Sequence, residues 1–361
     1  MPTLDLSQST AELTRAICDI PSVSGDEAAL ADAIEAALRP LAHLEVIRDG
    51  DAVVARTRLG RERRVVVAGH IDTVPINDNL PTRLDEDGVL WGRGTVDMKG
   101  GCAIQLKLAA ELAEPAVDVT WIWYDHEEVA SDLNGLGRLA RTRPELLAGD
   151  FAILGEPSNA EVEGGCNGTL RADVVTRGRR AHSARAWMGE NAIHAQAAVL
   201  ARLAEHEPEQ VEVDGLVYRE GLNAVGIRGG VAGNVIPDEC VVEVNYRFAP
   251  SRDAAAAEAR LREVLAGLEV EIEITDLAVG ARPGLDDPFA LAFVEAVGGG
   301  ARPKYGWTDV ARFSALGVPA VNYGPGDPSL AHADDERVPL EHIARVEAGL
   351  RACLTAQVAV G

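Results

Sequence analysis

Five side chains that could bind a metal ion, His70, Asp97, Glu128, Glu156 and His332, each close an apolar run or sit in a glycine-rich turn just after one. Imidazole nitrogens and carboxylate oxygens are donors that suit zinc. In an open α/β sheet the carboxyl ends of neighbouring strands converge on one crevice, so donors scattered along the chain can meet there. The pattern reads as that of a metalloenzyme.

The surrounding residues refine the chemistry. In Gly69-His70-Ile71-Asp72-Thr73-Val74-Pro75 a histidine leaves a strand and a carboxylate follows two residues later. Residues two apart on an extended chain face the same way, so Asp72 can orient the His70 ring. Asp97 lies between glycines in Gly94-Thr95-Val96-Asp97-Met98-Lys99-Gly100-Gly101, at a strand-to-helix turn. Glycine permits the close backbone approach that a crowded site needs, although an aspartate there could equally cap the following helix. Asp125, His126, Glu127 and Glu128 directly follow the apolar run Trp121-Ile122-Trp123-Tyr124. Adjacent side chains at a strand end diverge, so one acid can bind metal while its neighbour faces a water. A solvated acidic loop is the alternative. Glu156 in Gly155-Glu156-Pro157 and His332 in Ala331-His332-Ala333 repeat the theme of a strand followed by a donor.

These residues need a framework of strands and helices. Two helical patterns between Leu4 and Leu38 flank the turn Pro21-Ser22-Val23-Ser24-Gly25, where Ser24 or Asp26 could cap the second helix. The runs Arg64–Gly69, Val117–Tyr124, Phe151–Leu154 and Val318–Tyr323 are short and apolar, as in strands covered on both faces. Between the first two, Ile104, Leu108 and Leu112 mark one face of a helix. The expected result is a β-α-β arrangement with a mostly parallel sheet.

The middle of the chain follows another order. Thr169–Thr176, Leu222–Arg228, Glu239–Phe248 and Val270–Leu277 read as strands, with helices over Glu190–Glu205 and Arg252–Leu268. That β-α-β-β-α-β order is the ferredoxin-like split unit. The segment Gly280-Ala281-Arg282-Pro283-Gly284 then returns the chain to the first domain, which needs its last segment for His332. The expected organisation is a discontinuous α/β catalytic domain, residues 1–168 and 281–361, with an inserted α+β domain over residues 169–280.

Composition narrows the class. The 361 residues are 47% apolar, enough for a sizeable core, and 34 basic against 57 acidic residues give a formal charge of −23. Such a chain repels nucleic acid and anionic membranes, so neither is an expected partner. Cys18, Cys102, Cys166, Cys240 and Cys353 are odd in number and lack a C-x-x-C pair. They read as reduced thiols in packing roles and point to the cytoplasm. The N-terminal segment lacks the basic and apolar regions of a secretion signal, and no run approaches the roughly 18 apolar residues that span a bilayer.

Taken in order, the segments Gly69–Pro75, Arg93–Gly101, Glu127-Glu128, Gly155–Pro157 and His332 resemble the di-zinc aminoacylase and carboxypeptidase family of amidohydrolases. The resemblance covers nearly the whole chain. It implies two Zn²⁺ per subunit, with Co²⁺ or Mn²⁺ able to substitute. Asp97 would bridge them, His70 and Glu156 would complete one site, and Glu128 and His332 the other. It further implies Glu127 as general base and Asp72 as the partner of His70. The inserted domain would serve as lid and dimerisation module, making a homodimer in which His182, in Arg180-Ala181-His182-Ser183-Ala184, reaches the partner's site and stabilises the oxyanion.

Within that family, Gly306–Phe313 and Asn322–Pro328 are similar to segments of members that hydrolyse N-succinyl-LL-2,6-diaminopimelate, an acyl amino acid with three carboxylates. Arg247 would grip one of them bidentately. Asn234, Thr308 and Thr169 match positions that contact substrate. The chain departs from many such members in carrying Thr308-Asp309-Val310-Ala311-Arg312-Phe313 where they have S-D-G-R-F, and in lacking a basic residue near Cys166. Arg179, Arg180 and Arg185 are candidates to compensate. The alternatives are deacetylation of acetylornithine, general aminoacylase or dipeptidase activity, a single-zinc site, and a non-catalytic metal-binding scaffold.

Overall fold

The valine-rich run Arg64–His70 forms the centre of the first unit's sheet. It pairs in parallel with Asp118–Tyr124 on one side, Arg64 opposite Asp118 and His70 opposite Tyr124, and with Phe151–Leu154 on the other. Ala320–Asn322 extends the parallel set beyond Phe151–Leu154. β-Branched and aromatic side chains suit this position because helices cover both faces, and every residue of Asp118–Tyr124 and Phe151–Leu154 is buried. Antiparallel strands that the periodicity did not specify flank this parallel centre. Ala52–Arg56 and Glu45–Asp49 lie beyond Asp118–Tyr124, and Val162–Gly164 lies beyond Ala320–Asn322.

The computed structural model describes residues 2–356 of the chain. Two units are distinguished within it. One comprises the chain up to Gly165, Pro283–Arg302 and the segment from Thr308 onward, and the other comprises Cys166–Arg282 and Pro303–Trp307.

In the first unit the helices Thr10–Cys18, Lys99–Glu111 and Leu340–Thr355 bury Leu13, Ile17, Ile104, Leu108, Val346 and Leu350 in one core with Val67, Trp121 and Phe293. Each such side chain stabilises the fold by about 1.5–3 kcal/mol through removal from water. Ser9 and Glu12 form a capping box on the first of these helices. The expected cap of the next helix is corrected by the structure. Ala28–Leu38 starts after Glu27 with no side-chain cap, because the Ser24 hydroxyl donates instead to Asp72 Oδ2 at 2.7 Å.

A small antiparallel sheet, Arg83–Leu84, Val89–Trp91 and Arg337–Pro339, was not expected from the sequence. It matters for the site because Val89–Trp91 runs toward Asp97 and Arg337–Pro339 follows His332. Arg83 and Arg337 lie over Trp91, 5.0 and 4.7 Å from the ring.

The second unit is built on an antiparallel sheet in the order Gly221–Gly229, Glu239–Phe248, Gly168–Arg177, Glu271–Ala278. Helices Ala192–Ala204 and Ala254–Val264 are capped by Asn191 and Asp253. Their buried residues Val199 and Leu261 share a core with Leu170, Val174, Val242 and Phe248. This is the ferredoxin-like arrangement. A hairpin that the periodicity does not specify, Gln210–Val213 with Leu216–Arg219, turns at Asp214-Gly215, both at positive φ.

All five cysteines are buried free thiols. No described helix is long and apolar enough to cross a membrane.

Candidate metal centre

The carboxyl ends of the parallel strands place the donors. His70 is the last residue of its strand, Glu127 and Glu128 follow Asp118–Tyr124 by three and four residues, and Glu156 follows Phe151–Leu154 by two. Asp97 precedes the helix Lys99–Glu111, whose start lies close against the Glu156 turn. A Cβ on Gly101 would come within 2.4 Å of the Gly155 carbonyl, so that approach requires glycine.

Three groups of donor atoms each gather within 4.8 Å: His70, Asp97 and Glu156; Asp97, Glu128 and His332; and His70, Glu127 and Glu128. Asp97 belongs to the first two. Its Oδ1 lies 3.1 Å from His70 Nε2 and its Oδ2 3.4 Å from His332 Nε2. His332 Nε2 also lies 3.0 Å from Glu128. Carboxylates and imidazoles converging in this way, with one aspartate common to two triads, fit a pair of divalent cations.

Asp72 acts on this geometry from behind. The His70 ring meets it through Nδ1, 3.0 Å from the Asp72 carbonyl oxygen and 3.4 Å from Oδ1. The Asp72 carboxylate accepts from the backbone N–H of Glu127 and of Glu128, both at 3.0 Å, as well as from Ser24. It thus fixes the direction of the acidic pair as well as the histidine tautomer. Burial opposes its charge, but the hydrogen bonds from His70, Ser24 and Glu127 outweigh that and hold the carboxyl at about 2.

The charges in the centre are strongly perturbed. Burial works against ionised Asp97, yet hydrogen bonds from His332 and His70 keep it far below the ordinary carboxylate range. Burial pushes Glu127 well above its ordinary value, opposed by His70 and reinforced by Asp309, Glu156 and Glu128. Hydrogen bonds to Asp97 and Glu128 push His332 up to about 10.

A pH dependence follows with a definite sign. A raised histidine value means that its charged form stabilises the metal-free fold fully below the ordinary value of about 6.5. That contribution fades as the pH rises through about 10. Metal ligation needs the neutral ring, so cation binding near neutral pH must expel protons and must strengthen as the pH rises. Calorimetric titration of the metal-free protein in buffers of different ionisation enthalpy is expected to show net proton release at pH 7.5. Equal apparent enthalpies in all buffers would show that the histidines are already neutral.

The remaining candidates fall in two places. Thr308 is in the first unit, buried, with its hydroxyl donating to Asn322 Oδ1 at 2.9 Å. In the second unit, Thr169 and Arg247 are cross-strand neighbours, and Asn245 links them by donating to Thr169 Oγ1 and accepting from Arg247 Nε, both at 3.2 Å. His182 is exposed on the short strand Ala181–His182, which pairs with Val235–Ile236, and Asn234 is exposed in the turn just before Val235, with Ser183 N donating to Asn234 O. His182 Nδ1 accepts from Ala184 N at 3.0 Å. Arg179 and Arg180 are engaged by Glu190 and Asp238.

Other polar residues near the centre carry no local sequence signal of their role. Asp309 accepts from Asn134 Nδ2 at 2.9 Å and pairs with Arg312, whose Nη2 reaches Ser131 Oγ at 3.1 Å. This braces the loop that leaves Glu128. Glu336 closes the acidic run Asp334-Asp335-Glu336, and only its spacing of four residues from His332 singles it out in the sequence.

Comparison with known proteins agrees with this geometry. The sequence model described as Peptidase family M20/M25/M40 matches residues 66–356. A Mycobacterium tuberculosis (strain ATCC 25618 / H37Rv) protein named as a succinyl-diaminopimelate desuccinylase, DapE, is 58% identical over 341 residues, 94% of this chain and 96% of that protein. A succinyl-diaminopimelate desuccinylase of Corynebacterium glutamicum is 49% identical over 365 residues, 98% of each. Among solved structures, a tripeptidase of Staphylococcus aureus superposes with a TM-score of 0.78 at 18% identity, covering 98% of each chain, which shows a shared fold.

Proposed function

The chain belongs to peptidase family M20/M25/M40 and is a hydrolase, and we propose that it is a two-zinc amidohydrolase cleaving N-succinyl-LL-2,6-diaminopimelate to succinate and LL-2,6-diaminopimelate in lysine and diaminopimelate biosynthesis. The observation that carries the reaction is the pair of donor triads sharing Asp97, with Glu127 beside them. The high identity to two proteins named for this substrate favours it over acetylornithine, other acyl amino acids and dipeptides.

His70, Asp97 and Glu156 would hold one cation, and Asp97, Glu128 and His332 the other. Bound there, the cations would acidify a water and polarise the scissile carbonyl. Glu127 takes the proton of the attacking water on its carboxylate and returns it to the leaving nitrogen. Its raised value in the metal-free protein is compatible with that task, because neighbouring dications favour the carboxylate form. Asp72 keeps the His70 ring and the Glu127 backbone in register through this cycle.

His182 is proposed to act across a homodimer formed through the second unit. Because its Nδ1 accepts from Ala184 N, the neutral ring carries its proton on Nε2 and can donate it to a developing oxyanion. Mixing His182→Ala with Glu127→Ala protein is expected to restore activity, since a hybrid dimer contains one intact site. Hybrid dimers without activity would remove the role in trans. Arg247 is proposed to grip a substrate carboxylate, with Thr169, Asn234 and Thr308 as further contacts. The cytoplasm is the proposed location.

The substrate is tested by comparing hydrolysis of N-succinyl-LL-2,6-diaminopimelate and N-acetylornithine by the zinc-loaded protein. Turnover of the succinyl compound alone supports the proposal. Preference for N-acetylornithine, or no cleavage of either, would overturn the substrate while leaving the family assignment in place.

A further inference from the structure

The buried ion pair Arg93–Glu336 lies outside the donor set but touches both turns that carry donors of the Asp97–Glu128–His332 triad. Arg93 is 3% exposed and Glu336 1%. Glu336 Oε2 accepts from Arg93 Nη1 at 2.8 Å, while its Oε1 accepts from the backbone N–H of Val96 at 2.9 Å and of Asp97 at 3.1 Å. Arg93 in turn donates to Ala333 O at 3.2 Å and to His332 O at 3.5 Å. The backbone reinforces the same junction, with Gly92 N donating to Glu336 O and Trp91 opposite Arg337.

An ion pair at this depth is a costly way to hold a fold together, since apolar residues of similar volume often serve as well. This one is placed where apolar residues could not substitute. An apolar side chain cannot accept from the N–H of Asp97, whereas a carboxylate accepts from it and from Arg93 at once, and the forked cation joins that carboxylate to the carbonyl of His332. His70 and Glu156, by contrast, take their positions from the ends of Arg64–His70 and Phe151–Leu154.

We propose that Arg93 and Glu336 are positioning residues of the metal centre, fixing the separation of the Asp97 carboxylate and the His332 imidazole and so setting cation affinity at the Asp97–Glu128–His332 position. The pair joins chain segments 240 residues apart that the parallel sheet alone does not bring into register. The proposal rests on the two-cation reading above.

The test uses Arg93→Met, which keeps apolar bulk, and Glu336→Gln, which keeps one oxygen for the Val96 and Asp97 N–H groups but offers an amide to Arg93. Cation dissociation constants at both positions would be measured by competition with a chelator. Alongside them, thermal unfolding of the metal-free proteins would be followed. The expected result is roughly 10–100-fold weaker binding at the Asp97–Glu128–His332 position, as for other partners that orient ligands, with a smaller loss at the other position, which shares only Asp97 with it. The double variant should be no worse than the worse single one, because the two residues act as a unit. If Arg93→Met does not fold, Arg93→Lys carries the same test, since it keeps the charge and loses the fork. Equal weakening at both positions, or none at either, would overturn the proposal. Wild-type protein that binds one cation only would instead overturn the two-cation reading beneath it.

Discussion

Replacing Glu127 with alanine is expected to lower kcat by about 10²–10⁴-fold, the range that positioned general acid–base groups contribute, while both cations stay bound. The expectation comes from the division of labour between two adjacent acids. Both backbone N–H groups are held by the Asp72 carboxylate, so the two side chains leave the strand end in fixed and different directions. Glu128 turns to His332, 3.0 Å away, and so belongs to a triad that includes Asp97. Glu127 shares a group with His70 and Glu128 but not with Asp97, and burial pushes its carboxyl well above the ordinary value despite the opposing charge of His70. Metal content measured by mass spectrometry of the native protein, together with kcat, separates the roles. Retained metal with lost turnover fits the base. Full activity would assign the proton transfer elsewhere, and loss of both cations would make Glu127 a ligand.

The second large effect is expected at Asp97. Its two carboxylate oxygens face different histidines, His70 at 3.1 Å and His332 at 3.4 Å. Asp97→Ala therefore removes a donor from both triads at once and leaves His70 and His332 facing a gap. Affinity at both positions should fall by more than the roughly 10–100-fold that outer partners of metal ligands command. Glu156→Ala is the control, since Glu156 occurs in one triad only and its loss should weaken one cation. Chelator competition on the two variants distinguishes a shared ligand from a private one. Matching profiles for Asp97→Ala and Glu156→Ala would show that Asp97 serves a single position.

Which parts of this arrangement could be read from the sequence follows from the range of the forces involved. The gathering of His70, Glu128 and Glu156 was legible because each is attached to a strong local signal, an apolar run long enough for one strand and ending in His70, Tyr124 or Leu154. The parallel sheet then carries those ends to one place without further instruction. The second unit was legible for the same reason, since its four strands and two helices each carry their own periodicity.

Contacts between distant polar residues left no such trace. Ser24 has the composition of a helix cap, and only the buried Asp72 carboxylate explains why its hydroxyl serves a neighbour 48 residues away. Arg93 and Glu336 look like ordinary surface charges until the sheet joining Val89–Trp91 to Arg337–Pro339 brings them together. The hairpin at Asp214-Gly215 did carry a turn signal, but its strands are only four residues each and one face is exposed, so their pattern was weak.

Whether two cations held by these five side chains drive amide hydrolysis is decided by titrating zinc into metal-free protein. Hydrolysis of N-succinyl-LL-2,6-diaminopimelate would be followed at each addition. Activity that keeps rising until two equivalents per chain have bound, and that a chelator then abolishes, is the predicted result. Full activity at one equivalent, or activity indifferent to zinc and chelator, would contradict it.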